Sequence, residues 1–167
     1  MWWTKGSVKV NWTEKDFKQL PFEVEDISDS EKKPHRAQGY THDQYSGDVC
    51  RCIGWKPNWV DSLSEQIGLT NCGYNFYRMK QLDIRPEHTD HFKNYAKIYS
   101  VEKEDVHRAV VFLEDWKIRH YFDINGYGIV NWKAGDYVLW RAAVPHSASN
   151  IGQEMRYTLQ ITGVRVD

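Results

Sequence analysis

Apolar and polar positions change rhythm along this chain at about Gly68. Before it, Ser7-Val8-Lys9-Val10-Asn11-Trp12 alternates and predicts one short strand. Thr13 then caps a helix over residues 14–20, with Asp16 three positions on in a box-like place and Phe17 and Leu20 as apolar contacts, until Pro21 ends it. Val60, Leu63 and Ile67 are spaced for one apolar helix face, so residues 59–67 form a second helix, capped by Asn58 and stopped by Gly68. After Gly68 the pattern is that of strands: 74–80, 88–92, 108–113, 121–124, 129–132, 137–141, 146–149 and 156–162. Asn125-Gly126, Lys133-Ala134-Gly135-Asp136 and Asn150-Ile151-Gly152 supply turns between several of them. Residues 94–105 break the series, and Ser100 with Glu102, Glu104 and Asp105 predicts a short helical turn there.

Residues 23–48 are polar, with an acidic start and a Lys32-Lys33-Pro34 turn, and read as a long surface loop of the length that serves as a lid. His35 and His42 fall in it as exposed loop histidines. Eight strands after two helices predict a mainly β fold: a cupin-like jelly roll, or double-stranded β-helix, with N-terminal flanking helices against one sheet. With no repeat and no low-complexity segment, residues 1–167 make one domain.

Composition narrows the function classes. A net charge of −1 with 27% charged residues offers no basic excess for phosphate backbones, which counts against a nucleic-acid binder. Aromatic residues make up 14%, eight of them Trp, a supply that fills a core or lines a cleft. The odd set Cys50, Cys52 and Cys72 is a poor disulfide framework and fits a reducing compartment. Cys50-x-Cys52 has no second pair to complete a zinc site. No run of 18 apolar residues occurs and Met1-Trp2-Trp3-Thr4-Lys5-Gly6 lacks a signal-peptide core, so a cytoplasmic protein with no membrane partner is expected.

The chemistry concentrates in Glu87-His88-Thr89-Asp90-His91 and Pro145-His146. On an extended strand His88 and Asp90 project to one side, while Thr89 and His91 turn away. With His146 they supply two imidazoles and one carboxylate, the facial set of non-haem Fe(II) oxygenases; H-x-D alone is a common chance pattern. On the last strand Arg156, Thr158 and Gln160 share a face, and Tyr157, Leu159 and Ile161 share the other. An inward Arg156 is costly unless it meets an anion such as a carboxylate, to which Thr158 adds a hydroxyl; an outward one is an ordinary surface cation. His107 and His120 read as structural or surface residues, and Trp140 and Tyr77 as cleft walls.

The order of His88-x-Asp90, His146 and Arg156-x-Thr158 resembles the Fe(II)- and 2-oxoglutarate-dependent oxygenases over residues 71–163, most nearly short viral members such as those of marine phages. Asn75-Phe76-Tyr77 is similar to the N-x-Y element with which one branch of that superfamily holds its co-substrate. The resemblance implies that His88, Asp90 and His146 bind Fe(II), and that Arg156 and Thr158 bind the distal carboxylate of 2-oxoglutarate, joined by Asn75 and Tyr77. It also implies a hydroxylase that consumes O2 and releases succinate and CO2; a peptide residue or small metabolite fits as its substrate, and the near-neutral charge makes nucleic acid a poorer fit. Arg119-His120 stands where many relatives place glycine. Two other readings share the strand pattern: a non-catalytic jelly-roll binding module, and a cupin-type metalloenzyme that does not use 2-oxoglutarate.

Overall fold

A computed structural model describes residues 2–40, 45 and 47–166. The elements run β1 (Trp3–Ser7), α1 (Glu14–Lys18), β2 (Glu23–Val24), α2 (Asp29–Ala37), β3 (Asp48–Arg51), α3 (Val60–Ile67), β4 (Leu69–Met79) and β5 (Ile84–His88). They continue through α4 (Lys93–Tyr99), β6 (Val106–Phe112), β7 (His120–Ile124), β8 (Tyr127–Ile129), β9 (Asp136–Arg141), β10 (His146–Asn150) and β11 (Arg156–Arg165). A seven-stranded sheet has the order β1-β9-β6-β11-β4-β3-β2, and a four-stranded sheet has the order β5-β10-β7-β8. Every pairing is antiparallel. This is the expected mainly β jelly roll, two sheets packed face to face.

Alternation along the central strands divides the apolar residues into two cores. Tyr157, Leu159 and Ile161 of β11, with Ala109 and Val111 of β6, face outward and are covered by Phe17 of α1 and Val60, Leu63 and Ile67 of α3. Burying each of these large side chains contributes roughly 1.5–3 kcal/mol, so the two helices are held by packing. Val110 and Phe112 of β6, Val138 and Trp140 of β9, and Phe122 and Ile124 of β7 fill the space between the sheets. Beside that inner cluster a cleft opens between the sheets, lined by residues of β4, β5, β10 and β11.

Several elements differ from the sequence expectation. The alternating stretch 7–12 is mostly not a strand: β1 ends at Ser7, and the residues after it run as a loop held by Val8 N–H to the Gly135 carbonyl and the Trp12 indole to the Leu113 carbonyl. The polar stretch 23–48 contains α2, whose Ser28 and Glu31 form a capping box, and Pro34 lies inside that helix rather than in a turn. His35 is buried at 6% exposure rather than exposed, while His42 lies outside the described residues. The cap of α3 is Trp59, one residue later than Asn58, and Gly68 ends it at φ 78° as expected. The second break in the strand series is α4, which ends at Ser100 (φ 53°) where a turn was expected to begin. Asn125 and Gly126 both have positive φ, the backbone a two-residue hairpin turn needs. Arg119 adopts φ 71°, a conformation glycine enters freely, and the Ile151 N–H bonds its carbonyl at 3.0 Å.

Candidate metal centre

β5 and β10 pair so that His88 and His146 face each other across the ladder, with ring centroids 4.3 Å apart. His88 is the last residue of β5, so Asp90 lies in the loop beyond it and not on an extended strand as expected. That loop still returns the carboxylate to the histidines: Asp90 Oδ2 lies 3.6 Å from His146 Nε2. One ligand atom from each of His88, Asp90 and His146 falls within 4.8 Å of the others. The His91 side chain is exposed and lines a neighbouring cleft.

The two imidazoles are preset for coordination. His88 Nδ1–H donates to the Pro86 carbonyl at 2.8 Å and His146 Nδ1–H to the Val144 carbonyl at 3.0 Å. A carbonyl only accepts, so both protons sit on Nδ1 and both Nε2 atoms carry their lone pairs, that of His88 facing Arg85 Nε at 3.5 Å. Burial, and for His88 the neighbouring His146 and Arg85, pushes both rings below the ordinary histidine pKa, so they are neutral at pH 7. Burial pushes the Asp90 carboxyl upward, but the Arg108 guanidinium and His146 outweigh it and keep Asp90 ionised. Arg108 Nη1 donates to Asp90 Oδ1 at 2.5 Å, and the Trp140 indole donates to Oδ2 at 3.2 Å. Neutral imidazoles and one fixed carboxylate on one face suit a divalent iron.

At the other end of the same cleft lies Arg156, 4% exposed, on β11. Its Nη1 reaches only the Met79 sulfur at 3.2 Å, and Nε and Nη2 have no hydrogen-bond partner. The guanidinium lies 5.6 to 6.0 Å from the ring centres of Trp132, Phe112 and Phe122. Burial alone pushes its pKa down to about 10, which leaves it a cation at pH 7. A buried, charged and unpaired planar fork fits a carboxylate. Thr158 and Tyr77 line the same cleft, whereas Asn75 does not. Tyr77 donates its hydroxyl to Glu25 at 3.3 Å, and burial raises its pKa.

Sequence reasoning missed Arg108, Arg85 and Glu25, all of which line the cleft. Arg108 carried a readable signal, since it shares strand parity with the inward Val110 and Phe112. His120 is buried at 2% exposure and donates Nε2–H to the Glu154 carbonyl at 3.0 Å, a structural role. The acidic start of the 23–48 stretch is partly neutralised, with Glu23 paired to Arg51 at 3.0 Å.

No family model matches the sequence, and no curated protein matches it in sequence. Among solved structures, the chain is similar in fold to two oxidative enzymes. One is a Pseudomonas putida prolyl-4-hydroxylase, with TM-score 0.56 and 16% identity over 98% of this chain and 92% of that one. The other is an oxidoreductase of the 2OG-Fe(II) oxygenase family from Burkholderia pseudomallei, with TM-score 0.56 and 16% identity over 92% and 78% of the two chains. The fold is therefore shared with these two proteins, a double-stranded β-helix. Among the described residues no helix is long and apolar enough to cross a membrane.

Proposed function

We propose that this chain is an Fe(II)- and 2-oxoglutarate-dependent oxygenase that hydroxylates a C–H bond of a peptide residue or small metabolite. The observation that carries this reading is Arg156, a buried cation without an anion, in the same cleft as the His88, Asp90 and His146 cluster. A metal-binding module without a diacid co-substrate has no use for such a residue, and its desolvation is a standing cost.

His88 and His146 would hold the iron through Nε2, and Asp90 through a carboxylate oxygen. When bound, iron, 2-oxoglutarate and O2 supply the oxidation, and 2-oxoglutarate leaves as succinate and CO2. Arg156 would take the far carboxylate of 2-oxoglutarate in bidentate fashion, with Thr158 and Tyr77 as hydroxyl donors beside it. Asn75, outside the cleft, has no part in this. Arg108 and the Trp140 indole hold the Asp90 carboxylate in one orientation. Phe122 and Trp140, 3% and 0% exposed, keep the floor dry, which strengthens each charged contact there.

The test is spectroscopic and chemical. Fe(II) and 2-oxoglutarate added without oxygen should give a weak visible charge-transfer band, and admitting air should yield succinate. Folded protein that gives neither would defeat the proposal. Turnover indifferent to Arg156→Ala would favour a cupin-type enzyme working without 2-oxoglutarate.

A further inference from the structure

The charges lining the cleft do not balance, and the excess sits on one residue. Three arginines, Arg85, Arg108 and Arg156, face two carboxylates, Glu25 and Asp90. A divalent metal and a doubly charged diacid cancel each other, so the loaded site proposed above keeps one positive charge. Arg108 is committed to Asp90 at 2.5 Å and to the Thr162 hydroxyl at 3.2 Å. Arg156 is committed to the co-substrate in the reading above. Arg85 remains. Among the described residues no carboxylate lies within ion-pair distance of it: Glu31 of α2 feels its charge without bonding it, and its one hydrogen-bond contact is Nε at 3.5 Å from His88 Nε2. That is the lone pair a metal must take.

Metal binding therefore leaves Arg85 without an acceptor, beside a doubly charged cation. Its backbone is fixed in β5, which keeps the side chain rooted beside the site. β5 is the edge strand of the small sheet, where Pro86 removes no ladder hydrogen bond. Across the ladder Arg85 faces Ala148, a small residue that also lines the cleft. A half-buried guanidinium held next to a metal ligand needs an anion to pair with.

We infer that Arg85 binds a carboxylate of the prime substrate, so that the compound oxidised carries a carboxylate close to the C–H bond presented to the metal. This inference rests on the oxygenase reading and names its substrate class. One excess positive charge matches a carboxylate better than a doubly charged phosphate monoester. A nucleobase is disfavoured because Trp140 and Phe122 are buried and offer no open face for stacking. Beyond Asp90 a second cleft is lined by Lys93, Lys103 and Arg141 against Glu104 and Asp90 itself, so the surface beside the site is positive in a chain whose net charge is −1. The carboxylate can belong to a free acid or to an acidic residue or C-terminus of a peptide.

Calorimetric titration of protein loaded with Mn(II) and 2-oxoglutarate separates these cases. The probes are free L-amino acids, dicarboxylic acids and short Asp- or Glu-containing peptides, each beside its amide, with adenosine as a control. At least one acid should bind, its amide at least tenfold more weakly, and Arg85→Gln should weaken that acid at least tenfold, Arg85→Lys less. Whether the binder is a free acid or a peptide identifies the source. In Arg85→Gln the 2-oxoglutarate concentration that half-saturates the Fe(II) charge-transfer band should stay within threefold of wild type. Equal binding of acid and amide, no binding by any acid, or no effect of Arg85→Gln overturns the assignment. A larger shift in that 2-oxoglutarate half-saturation overturns it too, since Arg85 would then serve the co-substrate. If Arg85→Gln does not fold, the acid-against-amide comparison in wild type and the lysine variant still decide. Failure of the oxygenase reading is distinct: wild type then gives no 2-oxoglutarate-dependent band at all.

Discussion

The two ends of the cleft handle charge in opposite ways. At the metal end each candidate ligand already has a partner: Asp90 has Arg108 and the Trp140 indole, and each histidine Nδ1–H has a backbone carbonyl. At the far end Arg156 is buried among aromatic rings with two guanidinium nitrogens unpaired. The paired end is rigid before anything binds, so a metal meets ligands that need little rearrangement. The unpaired end has an unmet electrostatic demand that only an incoming anion can meet. Pre-organisation should thus show in metal affinity, and the orphan charge in selectivity for a diacid.

The largest effect should come from breaking the paired end at its ligands. Asp90→Ala or His146→Ala leaves two of three donors, and Fe(II) or Mn(II) binding should become undetectable by calorimetry at concentrations that saturate wild type. Retained tight binding in either variant would place the metal elsewhere.

Arg156→Met tests the opposite end and should move two quantities in opposite directions. The half-saturating 2-oxoglutarate concentration should rise by roughly two to four orders of magnitude, the equivalent of about 3–5 kcal/mol for removing one partner of a buried charge pair. The ligand-free protein should become more stable, because an unpaired buried cation is replaced by an apolar side chain of similar length. A thermal melt that falls instead would mean that Met79 and the aromatic rings already satisfy the guanidinium.

Arg108→Leu sits between these extremes. It removes an orienting partner of Asp90 and no ligand, so metal affinity should weaken about 10- to 100-fold, as for other residues that position a ligand. The half-saturating 2-oxoglutarate concentration in protein resaturated with metal should move far less than in Arg156→Met. Equal shifts in both would erase the distinction between the ends.

How much of this was legible in the sequence follows the same divide. The far end was readable: Arg156 and Thr158 alternate with Tyr157 and Leu159, and a strand buried on both faces must send one set each way. The metal ligands were readable as residue types, although Asp90 reaches its place by a loop and not by strand geometry. Arg108 was harder, because its partner Asp90 lies 18 residues away in the loop after β5, a strand that is not paired with β6. Arg85 gave no local signal at all, since its significance lies in what it fails to touch. The helix α2 was masked by its polarity; Ser28 and Glu31 announced its start, but no apolar stripe followed. The 7–12 alternation misled because Val8 and Trp12 are buried by a loop that plugs the core, a period-2 pattern without a ladder.

The smallest effect concerns acid, and it too separates the ends. His88 and His146 are held below the ordinary histidine pKa, chiefly by burial, as are His120, His35 and His107 elsewhere. Above about pH 6.5 these rings are neutral whether the chain is folded or not, and they contribute no pH dependence. Below it the unfolded chain takes up protons that the folded chain refuses, so stability falls as pH drops, by at most about 1.4 kcal/mol per pH unit for each such ring. Arg156 stays charged throughout this range and adds nothing to the slope. Melting temperature of metal-free protein should therefore decline between pH 7 and 5, by a few degrees for each kcal/mol lost. The double variant His88→Gln/His146→Gln should flatten that decline without abolishing it, because three depressed histidines remain. An unchanged slope in the double variant would show that the metal-end rings take up protons as readily in the folded protein as in the unfolded chain, so burial would not be keeping their lone pairs available.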